Sequence, residues 1–232
     1  MIVLITGAAR GLGRALTERC LQQGDTVLAC VRAPSAARNL QDLLQTHPDR
    51  LYIYSIDVGD DASVANAASL IATQVPKIDC LVNNAGILKG ASERIHNLDM
   101  RNIRESLETN TMGPISMVAY LLPLILRSER PMILNISSEA GSISTVGNHS
   151  YGYHISKCAL NMFSQILAND LKDHGVAVLA VHPGRMRTDM GLPDFPDSPE
   201  DVAQDLYEMM QARMDTLPQI RFVDRFGTPM PL

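Results

Sequence analysis

Tyr153 and Lys157 stand four positions apart, a spacing at which one side chain can alter the acidity of the other. In a helix, both fall on one face, with an ammonium one turn from a phenol. A free phenol holds its proton with a pKa of about 10, too tightly to act readily as an acid near neutrality. A neighbouring positive charge favours phenolate and eases release. The chemistry on offer is delivery of a proton to oxygen, which must accompany delivery of hydride to carbon when a carbonyl is reduced. Tyr151 lacks this help, because the position four residues after it is Ile155. Its expected role is packing or lining a cleft.

A second group of residues bears on where hydride could come from. Thr6-Gly7-Ala8-Ala9-Arg10-Gly11-Leu12-Gly13 follows an apolar run and opens a helical one. Gly7, Gly11 and Gly13 let the backbone turn tightly and approach a pyrophosphate, which the free N–H groups of the next helix would receive. A site for NAD usually carries an acid after the second strand to hold the ribose 2′-hydroxyl, whereas a 2′-phosphate needs positive charge there. Here the strand ends Cys30-Val31-Arg32, with no acid, and Arg10 lies in the turn. The pair Arg10 and Arg32 predicts NADP(H) in preference to NAD(H).

These groups need a scaffold that brings them to one edge. Short β-branched and apolar runs recur at Ile2 to Ile5, Thr26 to Cys30, Leu51 to Ile56, Asp79 to Val82, Met132 to Ile136, Val176 to Val181 and, more weakly, Ile220 to Val223. Segments with helical periodicity separate them: Gly11 to Gln23, Ser35 to Gln45, Ala62 to Val75, Leu98 to Arg127, Tyr153 to His174 and Glu200 to Arg213. Alternation of this kind predicts a single α/β domain over residues 1–232, with a doubly wound, mostly parallel sheet of seven strands and helices on both faces. Ligands of such sheets bind beyond the carboxyl ends of the strands. The turn-rich stretch Gly191 to Pro199 is expected to be a loop beside that site.

Bulk composition removes other classes. Hydrophobic residues are 46% of the chain and charged ones 19%, so disorder is not expected. The net charge of −5 and the scattered basic residues leave no footprint for nucleic acid. Cys20, Cys30, Cys80 and Cys158 have no metal-ligand spacing and read as buried reduced thiols, suited to a cytoplasm. Met1 leads directly into Ile2-Val3-Leu4-Ile5, and no apolar stretch approaches the ~18 residues of a membrane span, so neither a signal peptide nor a span is expected.

Several motifs, in order, resemble the short-chain dehydrogenase/reductase family: Thr6 to Gly13, Asp57-Val58, Asn83-Asn84-Ala85-Gly86, Asn110, Ser137-Ser138, Tyr153-His154-Ile155-Ser156-Lys157 and Pro183-Gly184 to Thr188. The resemblance spans residues 1 to about 190 and implies a Rossmann fold. It makes Tyr153 the proton donor and gives Lys157 a hydrogen bond to the nicotinamide ribose. Ser138 would hold the substrate oxygen, favoured over Ser137 because two residues and then Gly141 follow it. Asn110 would hold a water linking Lys157 to solvent. Asp57 and Val58 resemble the adenine contact, and Asn84, Ala85 and Gly86 the wall beside the adenosine ribose. Pro183, Gly184, Met186 and Thr188 lie in the segment that anchors the carboxamide. His154 and His182 are expected to be structural, and Arg187 and Asp189 could equally be solvent-exposed.

The spacing of 15 residues from Ser138 to Tyr153 is longer than usual in the family, implying an extended loop from Ser142 to Ser150 and leaving the substrate open. Met112, Met186, Met190 and Leu192 either line an apolar cleft or fill core. The tail Gly227 to Leu232 resembles the compact carbonyl-reductase branch, whose members include cell-signalling factors. Two functions are therefore expected candidates: an NADPH-dependent reductase of a small aldehyde or ketone, and a dinucleotide-binding signalling or redox-sensing protein with little turnover. The family also implies a homodimer or homotetramer through the helices within Leu98 to Arg127 and Tyr153 to His174.

Overall fold

The β-branched runs form one parallel sheet. In the computed structural model, which describes residues 1–191, 194–212 and 218–232, the strands are β1 (Ile2–Thr6), β2 (Thr26–Val31), β3 (Leu51–Ser55), β4 (Cys80–Asn83), β5 (Met132–Ile136), β6 (Ala177–His182) and β7 (Phe222–Asp224). Their spatial order is β3-β2-β1-β4-β5-β6-β7, and every pairing is parallel. The chain winds outward from β1 in one direction and from β4 in the other. The crevice between their carboxyl ends is thus the switch point where such sheets take ligands.

Central strands are buried on both faces, which is why they read as unbroken apolar runs. The edge strand β3 is less covered, with Tyr52 and Ser55 exposed while Leu51 and Tyr54 are buried. Helices α1 (Gly11–Gln22) and α7 (Pro199–Gln211) cover one face, packing Leu12, Leu16, Val202 and Leu206 on Val3 and Ile5. Helices α3 (Asp61–Gln74), α5 (Gly113–Ile125) and α6 (Tyr151–Asp170) cover the other, through Val64, Ile71, Met117, Leu121 and Leu167. Asp60 and Ser198 cap α3 and α7 by accepting N–H bonds from their first turns.

Three expected helices differ from their periodicity. Ser35 to Gln45 is a 3₁₀ segment, Pro34–Leu40, followed by the short α2 (Gln41–Thr46). Leu98 to Arg127 is divided into α4 (Met100–Leu107), a π turn (Glu108–Met112) and α5. Pro114 has no N–H to give the carbonyl of Asn110 four residues back, so the α ladder cannot continue and the helix widens. The third, α6, starts two residues earlier than its pattern suggests, at Tyr151. Arg213, the last residue of the expected final helix, lies outside the described residues.

Candidate active site

The glycine turn is fastened from beneath before any ligand is considered. Thr6 Oγ1 accepts the N–H groups of Asn84 and Ala85, each at 2.9 Å. The Asn84 amide donates back to Thr6 O at 2.8 Å and Gly7 O at 3.3 Å. A Cβ at Gly13 would stand 2.3 Å from Gly7 O, so only glycine lets α1 approach this closely. Gly7 itself has a φ of +66°. Asn84 thus spends its side chain on the turn, leaving the backbone of Ala85 and Gly86 as the wall expected there.

Arg10, the residue before α1, is extended and its side chain does not cap the helix, whose first turn holds no acid. Among the described residues the N–H groups of Gly11, Leu12 and Gly13 have no partner. Free donors at the positive end of a helix fit a phosphate. The Leu12 side chain is buried in the core, so only its N–H faces that position. Ala8 N donates to Cys30 O at 3.1 Å, tying the turn to the end of β2, where Arg32 is exposed and no carboxylate follows. Arg10 is turned elsewhere: its Nη1 lies 2.9 Å from Asp189 Oδ2, with both side chains exposed. Past β3, Asp57 Oδ1 accepts Gly59 N at 3.1 Å, and Val58 is buried against Gly113.

Helix α6 carries Tyr153 and Lys157 on one face, as their spacing requires. The Lys157 ammonium lies 5.7 Å from the Tyr153 ring centroid and donates to Ile136 O at 2.7 Å. Burial lowers the Lys157 pKa to about 8. The expectation that Lys157 depresses the Tyr153 pKa is not met in this geometry. Burial raises it, the hydrogen-bonded Ser138 hydroxyl pulls it down, and the Glu139 carboxylate raises it further. The desolvation of a phenolate outweighs an ammonium already committed to a carbonyl.

The two serines separate by their partners. Ser137 Oγ is buried and donates to Asn161 Oδ1 at 2.6 Å, whereas Ser138 accepts Ala140 N at 3.2 Å and reaches Tyr153. Asn110, fully buried in the π turn, grips both backbone groups of Ile87 at 2.8 and 2.9 Å. Its amide also reaches Ser156 Oγ at 3.0 Å, and Ser156 donates to Tyr153 O at 2.8 Å. Asn110 therefore joins the loop after β4 to the start of α6. Tyr151 is half-buried at the first position of that helix. His154 Nδ1 pairs with Ser150 O at 3.1 Å within its own helix start, and His182 Nδ1 accepts Glu139 N at 3.1 Å, joining the ends of β6 and β5.

After β6, Pro183 leads to Gly184 at a φ of +95° and then to Thr188, whose methyl would be 3.4 Å from a Cβ at Gly11. This segment lies against the glycine turn, on the far side of the crevice from Asn84. Arg185 pairs with Glu139, Nε to Oε1 at 2.7 Å, and Arg187 Nη1 donates to Phe195 O and Pro196 O. Met186 packs against the core, Met112 and Met190 are exposed, and Leu192 lies outside the described residues. The loop from Ser142 to Ser150 is irregular, with Ile143 and Val146 exposed. Cys20, Cys30 and Cys80 are buried, but Cys158 is only half-buried. Two concavities, one lined by Asp205, Arg225 and Phe226 and one by Met1, Lys77 and Arg130, include neither the glycine turn nor Tyr153.

Spacing alone missed Thr6, Ser156, Asn161 and Glu139 as supports of the site. A sequence signal did exist for the π turn, the Gly113-Pro114 pair inside a helical run.

A family model described as short chain dehydrogenase matches residues 1–198. The NADP-dependent 3-hydroxy acid dehydrogenase of Escherichia coli K12 is 35% identical over 184 residues, 79% of this chain and 72% of that protein. Human retinol dehydrogenase 5 is 36% identical over 190 residues, 80% of this chain and 57% of that one. Carbonyl reductase Sniffer of D. melanogaster matches with a TM-score of 0.91 at 28% identity, covering 99% of this chain and 98% of that one. The NADPH-bound carbonyl reductase from chicken fatty liver has a TM-score of 0.88 at 29% identity, with the same coverage. With its parallel sheet, its glycine turn and this match over most of its length, the chain belongs to the short-chain dehydrogenase family.

Proposed function

We propose that this chain, acting as one domain over residues 1–232, is an NADP(H)-dependent oxidoreductase that reduces an aldehyde or ketone to an alcohol, with Tyr153 as general acid. One observation carries the reading: Tyr153 and Lys157 share a face of α6, with the Ser138 hydroxyl near enough to the phenol to lower its pKa and Asn110 bonded to Ser156 behind them. NADP(H) preference is favoured by Arg10 and Arg32 flanking the end of β2 without an acid, and by the NADPH-bound and NADP-dependent relatives.

Gly7, Gly11, Leu12 and Gly13 would hold the pyrophosphate through free N–H groups. Arg10 and Arg32 would hold the 2′-phosphate, Asp57 and Val58 the adenine, and Ala85 and Gly86 the adjoining ribose beside the Asn84 brace. Pro183, Gly184, Met186 and Thr188 would hold the nicotinamide end, which when bound supplies hydride. Ser138 donates to the substrate oxygen and Tyr153 gives it a proton. Lys157 orients the ribose and replenishes Tyr153. The Asn110 carbonyl, denied an α-helical donor by Pro114, offers an acceptor for a water on the path to solvent.

On α6, Ile155, Met162 and Ile166 are exposed at helical spacing, which favours a homo-oligomer packed through this helix. Buried free thiols at Cys20, Cys30 and Cys80 suit a reducing cytoplasm.

Tyr153→Phe tests the mechanism: the variant should lose roughly 10²- to 10⁴-fold in kcat on a carbonyl panel while binding NADPH as the parent does. Full turnover by the variant would refute the assignment. Tight NADPH binding by the parent with no turnover across the panel would favour a signalling protein instead.

A further inference from the structure

Directly beneath Gly184 lie half-buried charges that the reaction does not use. A Cβ at Gly184 would stand 2.5 Å from Asp197 Oδ2 and 3.2 Å from Arg225 Nη1. Asp197 and Arg225 are each 17% exposed, with Arg225 Nη1 3.0 Å from Asp197 Oδ1. The angle there is poor for a hydrogen bond, so the contact is one of charge. Arg225 Nε reaches Asp205 Oδ2 on α7, also at 3.0 Å, and the guanidinium lies 4.8 Å from the Phe226 ring centroid. Asp197 holds the segment after β6 three times. Its Oδ2 accepts Arg185 N at 2.9 Å, its N donates to Arg185 O at 3.2 Å, and its O accepts Arg187 N at 3.0 Å.

We propose that Asp197 and Arg225 are positioning residues that set the Gly184–Thr188 segment against the nicotinamide end of the coenzyme. This rests on the reading of that segment given above. One carboxylate binds the backbone of the segment while one guanidinium ties that carboxylate to α7 and to the turn after β7. Helix α7 does not need these charges to dock, since Val202, Ala203, Leu206 and Met210 bury it against the sheet. What the charges fix is the height of the Gly184–Arg187 backbone above the core. Fine placement at this point matters, because misplacing a reacting group by about 1 Å can cost on the order of 100-fold in rate.

The test separates the two halves of the coenzyme. NADP⁺ and adenosine 2′,5′-bisphosphate, which lacks the nicotinamide end, are each titrated calorimetrically into the full chain and into Asp197→Ala, Asp197→Asn, Arg225→Gln and Thr188→Ala. Asp197→Ala and Arg225→Gln should weaken NADP⁺ about tenfold or more and leave the bisphosphate unchanged. Asp197→Asn, whose amide oxygen can still accept Arg185 N, should recover part of the loss. Equal weakening of both ligands, or failure of both Asp197→Asn and Arg225→Gln to fold, would reduce the network to a structural role and overturn the inference. An unchanged ratio in the Asp197 and Arg225 variants alongside a shifted one in Thr188→Ala would overturn the inference alone. An unchanged ratio in all four would overturn the reading of the segment as well.

Discussion

The two walls of the crevice are held by different physics. On the β1–β4 side, Thr6, Gly7, Gly13 and Asn84 interlock through short neutral hydrogen bonds and close backbone approach, next to the core. On the β6 side, the described residues from Gly184 to Asp197 add ion pairs to their backbone hydrogen bonds: Arg185 to Glu139, Arg10 to Asp189 and Asp197 to Arg225. Neutral bonds and steric fit in a dry interior define one geometry. Exposed ion pairs are weak and screened by salt. The first wall thus offers one fixed geometry, and the exposed outer part of the second, beyond the Asp197–Arg225 pair, can be adjusted around what it meets.

The largest effect should come from the first wall. Gly13→Val drives side-chain carbons into Gly7 O and the Asn84 amide, and the expected loss is about 3 kcal/mol or more, a large part of the stability of a typical domain. Denaturant melts measure it, and a variant as stable as the parent would end the idea of a sterically locked turn.

Lys157 gives the next effect, through pH. Its pKa in the folded chain is about 8 against 10.5 ordinarily. Below pH 8 both folded and unfolded forms carry the proton, and the cost of burying the charge is fully felt. Between about 8 and 10.5 the unfolded chain binds more protons, so stability rises with pH. Relative to Lys157→Met, the parent should gain about 2 kcal/mol from pH 7 to pH 10. A difference that stays flat would contradict burial of an unpaired ammonium beside Ile136.

The smallest effect belongs to the second wall. Asp189→Asn should leave the melting temperature unchanged, because both partners of its ion pair are exposed. NADPH should bind a few-fold more tightly, since Arg10 no longer leaves a carboxylate to meet the 2′-phosphate. Equal affinities by NADPH fluorescence titration would show that Arg10 and Asp189 do not compete with the coenzyme.

Much of this arrangement is legible in the sequence because it is local. Unbroken β-branched runs place the strands, and period-3.6 patterns place most helices. The spacing from Tyr153 to Lys157 singles out Tyr153 over Tyr151 without a structure, since Ile155 stands where Tyr151 would need its lysine, and Tyr153 and Lys157 do share a face of α6. What escapes is what depends on distant segments meeting. Asp197 lies in a turn-rich stretch and gains its partner only when Arg225, after the last strand, folds beneath Gly184. Asn84 fits a ribose wall by motif, yet its amide is taken by Thr6 and Gly7. The direction of the Tyr153 pKa escapes for a related reason, because desolvation is a property of the packed core.

Lys157 carries one more consequence. Burial in the crevice lowers the Lys157 pKa to about 8, so slightly above neutrality its ammonium and its neutral amine, a conjugate acid–base pair, come close in free energy. An anionic dinucleotide settling there favours the cation, so under the proposed function coenzyme capture draws protons from the buffer. Loading the protein is in that sense also an acid–base event, whose heat depends on the buffer that gives up the proton.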